Sequence, residues 1–286
     1  MEWRLIDDTV ARAGPANMAI DQALLESVQA GGRPALRFYR WRPACLSFGR
    51  NQPARGLCDP ARAAARGVDI VRRPTGGLAV LHDRELTYAA VLPVGLLGSP
   101  RETYRALNRA LVEGLRRLGL PAELAPAGGA GGVPAGPAPA AAGSGAGAGR
   151  TAVSAGGATG GTALTVTAAC FQAPAPGEVV VAGRKLVGSA QRVERRAILQ
   201  HGSLLLEGDQ SLVAELVAGP PPPAPATLAG ALGRTPEPEE LVEALRAGFE
   251  SALGIRLVPG ALSAAERERA QALEAHFASD AWTWRC

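Results

Sequence analysis

A chain of 286 residues with 47% hydrophobic content has enough apolar material for a real core, arranged as one large domain or two small ones. Its net charge of +4 comes without basic runs interleaved with aromatics, which argues against a nucleic-acid binder and suits acidic protein partners. No run of about 18 apolar residues occurs, and the opening MEWRLIDDTV places acids where a signal peptide needs a basic and then an apolar stretch, so a cytoplasmic protein off the membrane is expected.

In chain order, Ile20, Leu24 and Val28 repeat at four-residue spacing and predict a helix over 17–30, stopped by Gly31 and Gly32. Short strands follow at 36–40 and 45–48, and Asp59 with Pro60 starts a helix ending at Gly67. The apolar runs 68–71, 78–81 and 86–92 read as a three-stranded meander. Ser99, Pro100 and Glu102 form a capping box, and Leu107, Leu111, Leu115 and Leu118 carry the next helix to Gly119.

From about 125 to 161 the chain is almost entirely Ala, Gly, Pro, Ser and Thr, a composition that cannot offset the entropy of ordering and reads as a flexible insertion. Strands resume at 164–166, 178–181, 184–190 and 197–206, with Cys170 in a loop and Ala182–Gly183 as a tight turn. Residues 1–218 are thus expected to form the main domain. Beyond the prolines at 220–223, residues 219–286 are expected as a small, mostly helical segment packing on it, with a helix striped by Leu241, Leu245, Phe249 and Leu253, a strand at 255–258 and a second helix capped by Ser263 and Glu266.

Two residue types carry the chemistry. Of the 30 Lys and Arg residues 29 are arginine and one, Lys185, is lysine, in a chain whose composition favours arginine wherever it serves. Lysine is a compact point charge whose pKa moves on burial, so a position that resists the exchange points to a need for that property, although a lone surface lysine would look the same. The four cysteines, Cys45, Cys58, Cys170 and Cys286, form no C-x-x-C pair and suggest neither a zinc knuckle nor a disulfide framework, and no metal site is expected. Cys170 stands at a strand-to-loop transition, where it is either a nucleophile or a buried inert thiol. A hairpin through Ala182 and Gly183 would return Lys185 toward it, where its cation would stabilise an oxyanion and a partly desolvated lysine could also take the proton of an incoming amine. Arg72 and Arg73 ahead of Pro74, Thr75, Gly76 and Gly77 could position a phosphopantetheine or carboxylate, or could simply bound a glycine hairpin. His82 and His201 are open between structural and acid–base roles.

Four ordered blocks, RRPTGGLAVLHDRELTYAAVLP at 72–93, ACFQAP at 169–174, GRKLVGSAQR at 183–192 and LQHGSLLL at 199–206, resemble the lipoate-protein ligase and octanoyltransferase superfamily. ATP-dependent ligases of that group usually carry a third glycine where Leu78 stands and an Asn-Asp pair where Cys170 and Phe171 stand, so the resemblance is to the octanoyltransferase branch with a cysteine in this loop. It implies an α+β fold, a mixed sheet flanked by helices as in biotin ligases, and transfer of octanoyl from the phosphopantetheine of acyl carrier protein through a Cys170 thioester to a lysine of a lipoyl-accepting protein, without ATP or other cofactor. Acceptors would be a glycine cleavage H protein or the lipoyl domains of 2-oxoacid dehydrogenases. Lys185 is implied as the second catalytic residue. Arg73, Thr75, Gly76, Gly77, Leu78, Val80, His82, Gly188, Ser189, Ala190, His201 and Gly202 are implied around the substrate, with Leu78 and Val80 as tunnel wall. Amidotransfer from a modified H protein, ATP-dependent ligation and a non-catalytic lipoyl-domain binder are the alternatives.

Overall fold

Trp3 and Leu5, two apart and buried on one face, make the charged amino-terminal segment a strand, β1 (Glu2–Arg12). The computed structural model describes residues 1–126, 170–172, 174–208, 210–219, 221 and 223–286. After β1 come α1 (Gly14–Gln29), β2 (Ala35–Trp41), β3 (Cys45–Phe48), α2 (Pro60–Ala65), β4 (Asp69–Arg72), β5 (Val80–His82), β6 (Glu85–Pro93), α3 (Pro100–Arg117) and β7 (Ala122–Leu124). A single 3-10 turn at Cys170–Gln172 leads to β8 (Val179–Val181), β9 (Arg184–Val193), β10 (Ala197–Leu205), α4 (Ser211–Leu216), α5 (Leu228–Leu232), α6 (Pro238–Leu253), β11 (Arg256–Pro259), α7 (Ala264–Ala278) and α8 (Asp280–Thr283). The expected strand at 164–166 and nearly all of the expected insertion lie outside the described residues.

Eight strands form one mixed sheet in the order β11-β1-β2-β6-β10-β9-β8-β7, and β4-β3-β5 form a second. The expected α+β class, a mixed sheet flanked by helices, is what the chain adopts. The α3 leucines, Leu107, Leu111 and Leu115, and the α6 stripe cover one face of the large sheet, while Leu24, Leu25 and Val28 of α1, with α7, cover the other. Burial on both faces explains why the run from Glu85 to Leu92 is uninterrupted rather than alternating.

The expected meander is not formed. Runs 68–71 and 78–81 flank β3 in the small sheet, whereas 86–92 becomes β6, between β2 and β10 in the large one. Local spacing suggested a reversal, but Arg84 takes a left-handed φ of 41° and the link passes from one sheet to the other instead of turning back. Helix α1 starts at Gly14 rather than 17, since Pro15 occupies the first turn, where its missing N–H is no loss. Residues 219–286 add β11 to the edge of the large sheet, parallel to β1, and set α6 on α3 and α7 on α1.

Candidate active site

The two sheets meet where β5 and the loop ahead of it face β9 and β10, and a cavity with about 420 Å³ of empty space opens there. Arg73, Gly77, Val80, His82, Cys170, Gly188, Ser189, Ala190, His201 and Gly202 line it, joined by Met18, Tyr39, Trp41, Ser47, Thr87 and Ser203. Its mostly apolar wall suits the hydrocarbon chain of an acyl ligand. Val80, Phe171 and Leu205 pack as a small apolar cluster beside Cys170.

The β8–β9 hairpin turns on Ala182 and Gly183, both at positive φ, and the alternation of β9 then sends Arg184 outward and Lys185 inward. Lys185 is 4% exposed. Its Nζ donates to the Cys170 carbonyl at 2.9 Å and lies 3.4 Å from Cys170 Sγ and 2.8 Å from Glu178 Oε2. Burial alone would drive this amine toward neutrality, but the charges of Cys170 and Glu178 hold its pKa above the ordinary lysine value. It is therefore held as an ammonium, which can donate to an oxyanion. Cys170 itself is fixed by its N–H, which donates to Ala79 O at 2.9 Å, so the nucleophile candidate rides on the start of β5. Cys45, by contrast, is wholly buried, and burial pushes its thiol up, as it pushes Cys58 to about 11.

Arg73 does not face a ligand with free donors. Its Nε and Nη2 donate to Gly76 O, Nη2 also to Leu78 O, and Nη1 to Ser47 O and Oγ, so all five N–H groups are used in shaping the glycine loop. Arg72 likewise donates to the carbonyls of Gly49, Arg50, Gln52 and Thr283. Thr75, Gly76, Leu78 and Lys185 lie outside the cavity lining. Thr75 is fully buried, Gly76 and Leu78 offer carbonyls to Arg73, and Leu78 is not wall.

Each of the two candidate histidines is held by a buried partner. His201 contacts Thr75 Oγ1 at 2.6 Å through Nε2 and Asp21 Oδ2 at 2.9 Å through Nδ1, and Asp21 also receives Arg37 at 2.9 Å and Tyr39 OH at 2.8 Å. Although burial alone would raise it, the Asp21 carboxyl is held below its usual range by His201, Arg37 and Tyr39. His82 stacks on Trp41 with centroids 4.0 Å apart and contacts Ser47 Oγ at 2.8 Å. Burial, outweighing Glu85, lowers its pKa and leaves it neutral at pH 7. Behind Ser189, whose Oγ donates to Asn108 Oδ1 at 3.0 Å, Tyr88 and Gln200 complete a polar network.

Besides the lining residues Met18, Tyr39, Trp41, Ser47, Thr87 and Ser203, sequence reasoning passed over three charged residues of the site, Asp21, Arg37 and Glu178. Asp21 had a signal, since it falls on the stripe of Leu24, Leu25 and Val28 and is a carboxylate on the apolar face of its helix. Glu178 had none beyond opening a strand. Among the described residues there is no group of three or more His, Cys, Asp or Glu side chains arranged for a metal, and no helix long and apolar enough to cross a membrane.

The lipoyl protein ligase A/B catalytic domain model matches residues 14–250. An octanoyltransferase LipM of Kyrpidia tusciae is 38% identical over 298 residues, covering 99% of this chain and 98% of its own. Another octanoyltransferase LipM, from Symbiobacterium thermophilum, is 39% identical over 300 residues, with 99% and 98% covered. Among solved structures, lipoate-protein ligase A bound with ATP superposes with a TM-score of 0.73 at 22% identity, covering 99% of both chains. A bi-partite lipoate protein ligase from Thermoplasma acidophilum, studied with its E2 lipoyl domain, gives 0.73 at 22% identity, with 99% of this chain and 96% of its own covered. At that identity the structural likeness establishes the fold alone.

Proposed function

The chain belongs to the lipoyl protein ligase A/B catalytic domain family, and from that premise we propose that it is an octanoyltransferase of lipoate biosynthesis that works through a Cys170 thioester. Octanoyl transfer follows from the nearly full-length likeness to octanoyltransferases. One geometric observation carries the thioester: the half-buried thiol that lines the cavity lies 3.4 Å from the ammonium of the chain's single lysine.

The Cys170 thiolate attacks the carbonyl carbon of an octanoyl thioester held in the cavity, and Lys185 donates to the oxygen as it becomes negative. The C–S bond to the donor breaks, the donor thiolate takes a proton, and octanoyl remains on Cys170. A lysine amine of the acceptor then attacks the new thioester. As the C–N bond forms and the Cys170–carbon bond breaks, the proton lost from nitrogen ends on the departing sulfur. Thioester exchange is nearly isoenergetic and amide formation from a thioester is downhill, so ATP is not required.

The donor in this reading is octanoyl-acyl carrier protein and the acceptor a lipoyl-accepting protein, a glycine cleavage H protein or a 2-oxoacid dehydrogenase lipoyl domain. The acceptor class is supported by the E2 lipoyl domain studied with the Thermoplasma ligase. Cytoplasmic residence fits a free reactive thiol. Mixing enzyme with octanoyl-acyl carrier protein should add the mass of one octanoyl group, removable by hydroxylamine, and Cys170→Ala should abolish both the adduct and the transfer. Undiminished transfer by Cys170→Ala would end the thioester mechanism, and loading only from octanoylated H protein would replace the donor.

A further inference from the structure

Glu178 sits 4% exposed at the foot of β8, and its Oε2 does two things at once. It pairs with Lys185 Nζ at 2.8 Å and accepts the N–H of Ala175 at 2.8 Å, closing the loop that descends from Cys170. Such a carboxylate is costly to bury unless something requires it.

Counting charge through the reaction proposed above, on which this inference rests, shows what requires it. When Cys170 ionises to attack the donor, Lys185 Nζ faces two anions, the sulfur at 3.4 Å and the Glu178 carboxylate at 2.8 Å. Once octanoyl is on Cys170 the sulfur is neutral, and among the described residues Glu178 is the anion that remains at Nζ. A buried ammonium without a counter-ion gives up its proton, which would remove the oxyanion donor when the acceptor amine attacks. We propose that Glu178 is the standing counter-ion of Lys185, a positioning residue that keeps the ammonium charged after acylation and is therefore needed for transfer to the acceptor more than for loading from the donor.

The surroundings leave that task to Glu178. From α3 and β6, Tyr104 and Tyr88 face it as phenols that burial pushes upward, Tyr88 to about 12, so both stay neutral. Arg73 faces Cys170 and adds positive charge there. Arg184 on the same strand as Lys185 and Arg105 beside Gly177 are exposed.

Because Lys185 is the only lysine of the chain, lysine labelled at Cε and Nζ gives one side-chain NMR signal. In wild-type enzyme that signal should stay that of an ammonium to beyond about pH 9 both before and after Cys170 is capped as a neutral methyl disulfide with methyl methanethiosulfonate, in a Cys286→Ser background. In Glu178→Gln the capped form should titrate at least about one unit lower. In single-turnover transfer, Glu178→Gln should load octanoyl within about threefold of wild type yet pass it on about tenfold or more slowly at high pH, with a descending limb in its pH profile that Glu178→Asp removes. A capped wild-type lysine that already titrates near neutrality overturns the proposal without any variant having to fold. Equal slowing of both steps with an unchanged pH profile overturns it too. Failure of wild-type enzyme to take octanoyl at all would instead remove the acyl-transfer reading and leave the titration result standing.

Discussion

Gly188 shows how little space separates the reactive pair. A Cβ there would stand 3.3 Å from both Cys170 Sγ and Lys185 Cε, tighter than most real contacts, with Phe171 Cζ touching it at 3.4 Å. Gly188→Ala should therefore splay the sulfur from the ammonium while the strand itself survives. We expect octanoyl loading to slow by at least about tenfold with a melting temperature near wild type, measured by intact mass against time and by calorimetry. Loading at the wild-type rate would mean the pair tolerates displacement. The candidate pair was legible in part: composition singled out one lysine against 29 arginines, whereas Cys170 stayed open between nucleophile and inert thiol until the family resemblance favoured the first. What could not be read was the company they keep. Arg73 looked like an anion hook from its glycine neighbours, but only coordinates reveal that Ser47 O, Gly76 O and Leu78 O take up its donors.

Helix starts announced themselves more clearly than strand partners, although the short helices α4, α5 and α8 gave no sign. The capping box at Ser99 and Glu102, and the second at Ser263 and Glu266, both form as spacing requires, because the chemistry of a cap is confined to four residues. Strand partners are long-range choices. Nothing in 68–92 says that β4 and β5 will both choose β3 while β6 goes to β2 and β10, and β1 hides behind Asp7, Asp8 and Arg12.

The cap at Ser263 also sets a pH dependence. Burial would raise the Glu266 carboxyl, but the Arg4 fork at 2.7 and 2.8 Å and the Ser263 N–H hold it down, from 4.5 to about 2. With the folded value depressed, the contribution of this pair is complete above pH 4.5 and fades as pH falls toward 2. Glu266→Gln should lower the urea midpoint at neutral pH, and its difference from wild type should shrink across that acid window. A difference constant with pH would show that α7 is held to β1 by packing and not by this ion pair.

How tightly the last 68 or so residues (219–286) are bound to the site can be argued from one crossing. Helix α6 meets α3 glycine on glycine: a Cβ on Gly248 would fall on the backbone nitrogen of Gly114, with its Cα at 2.5 Å and Ala110 O at 2.7 Å. Helix α3 in turn carries Asn108, whose Nδ2 donates to Gly177 O at 2.8 Å, next to Glu178, and whose Oδ1 receives Ser189. Pushing the helices apart should thus be felt in the cavity wall and not only at the surface. Overpacking of this kind costs about 1–3 kcal/mol, which for a chain this size lowers Tm by roughly 2–12 °C. Gly248→Ala should show that drop in a single calorimetric transition together with slower octanoyl transfer. Were 219–286 an independent appendage, the same substitution would split the transition in two and leave transfer untouched, because the catalytic strands would no longer share the strain.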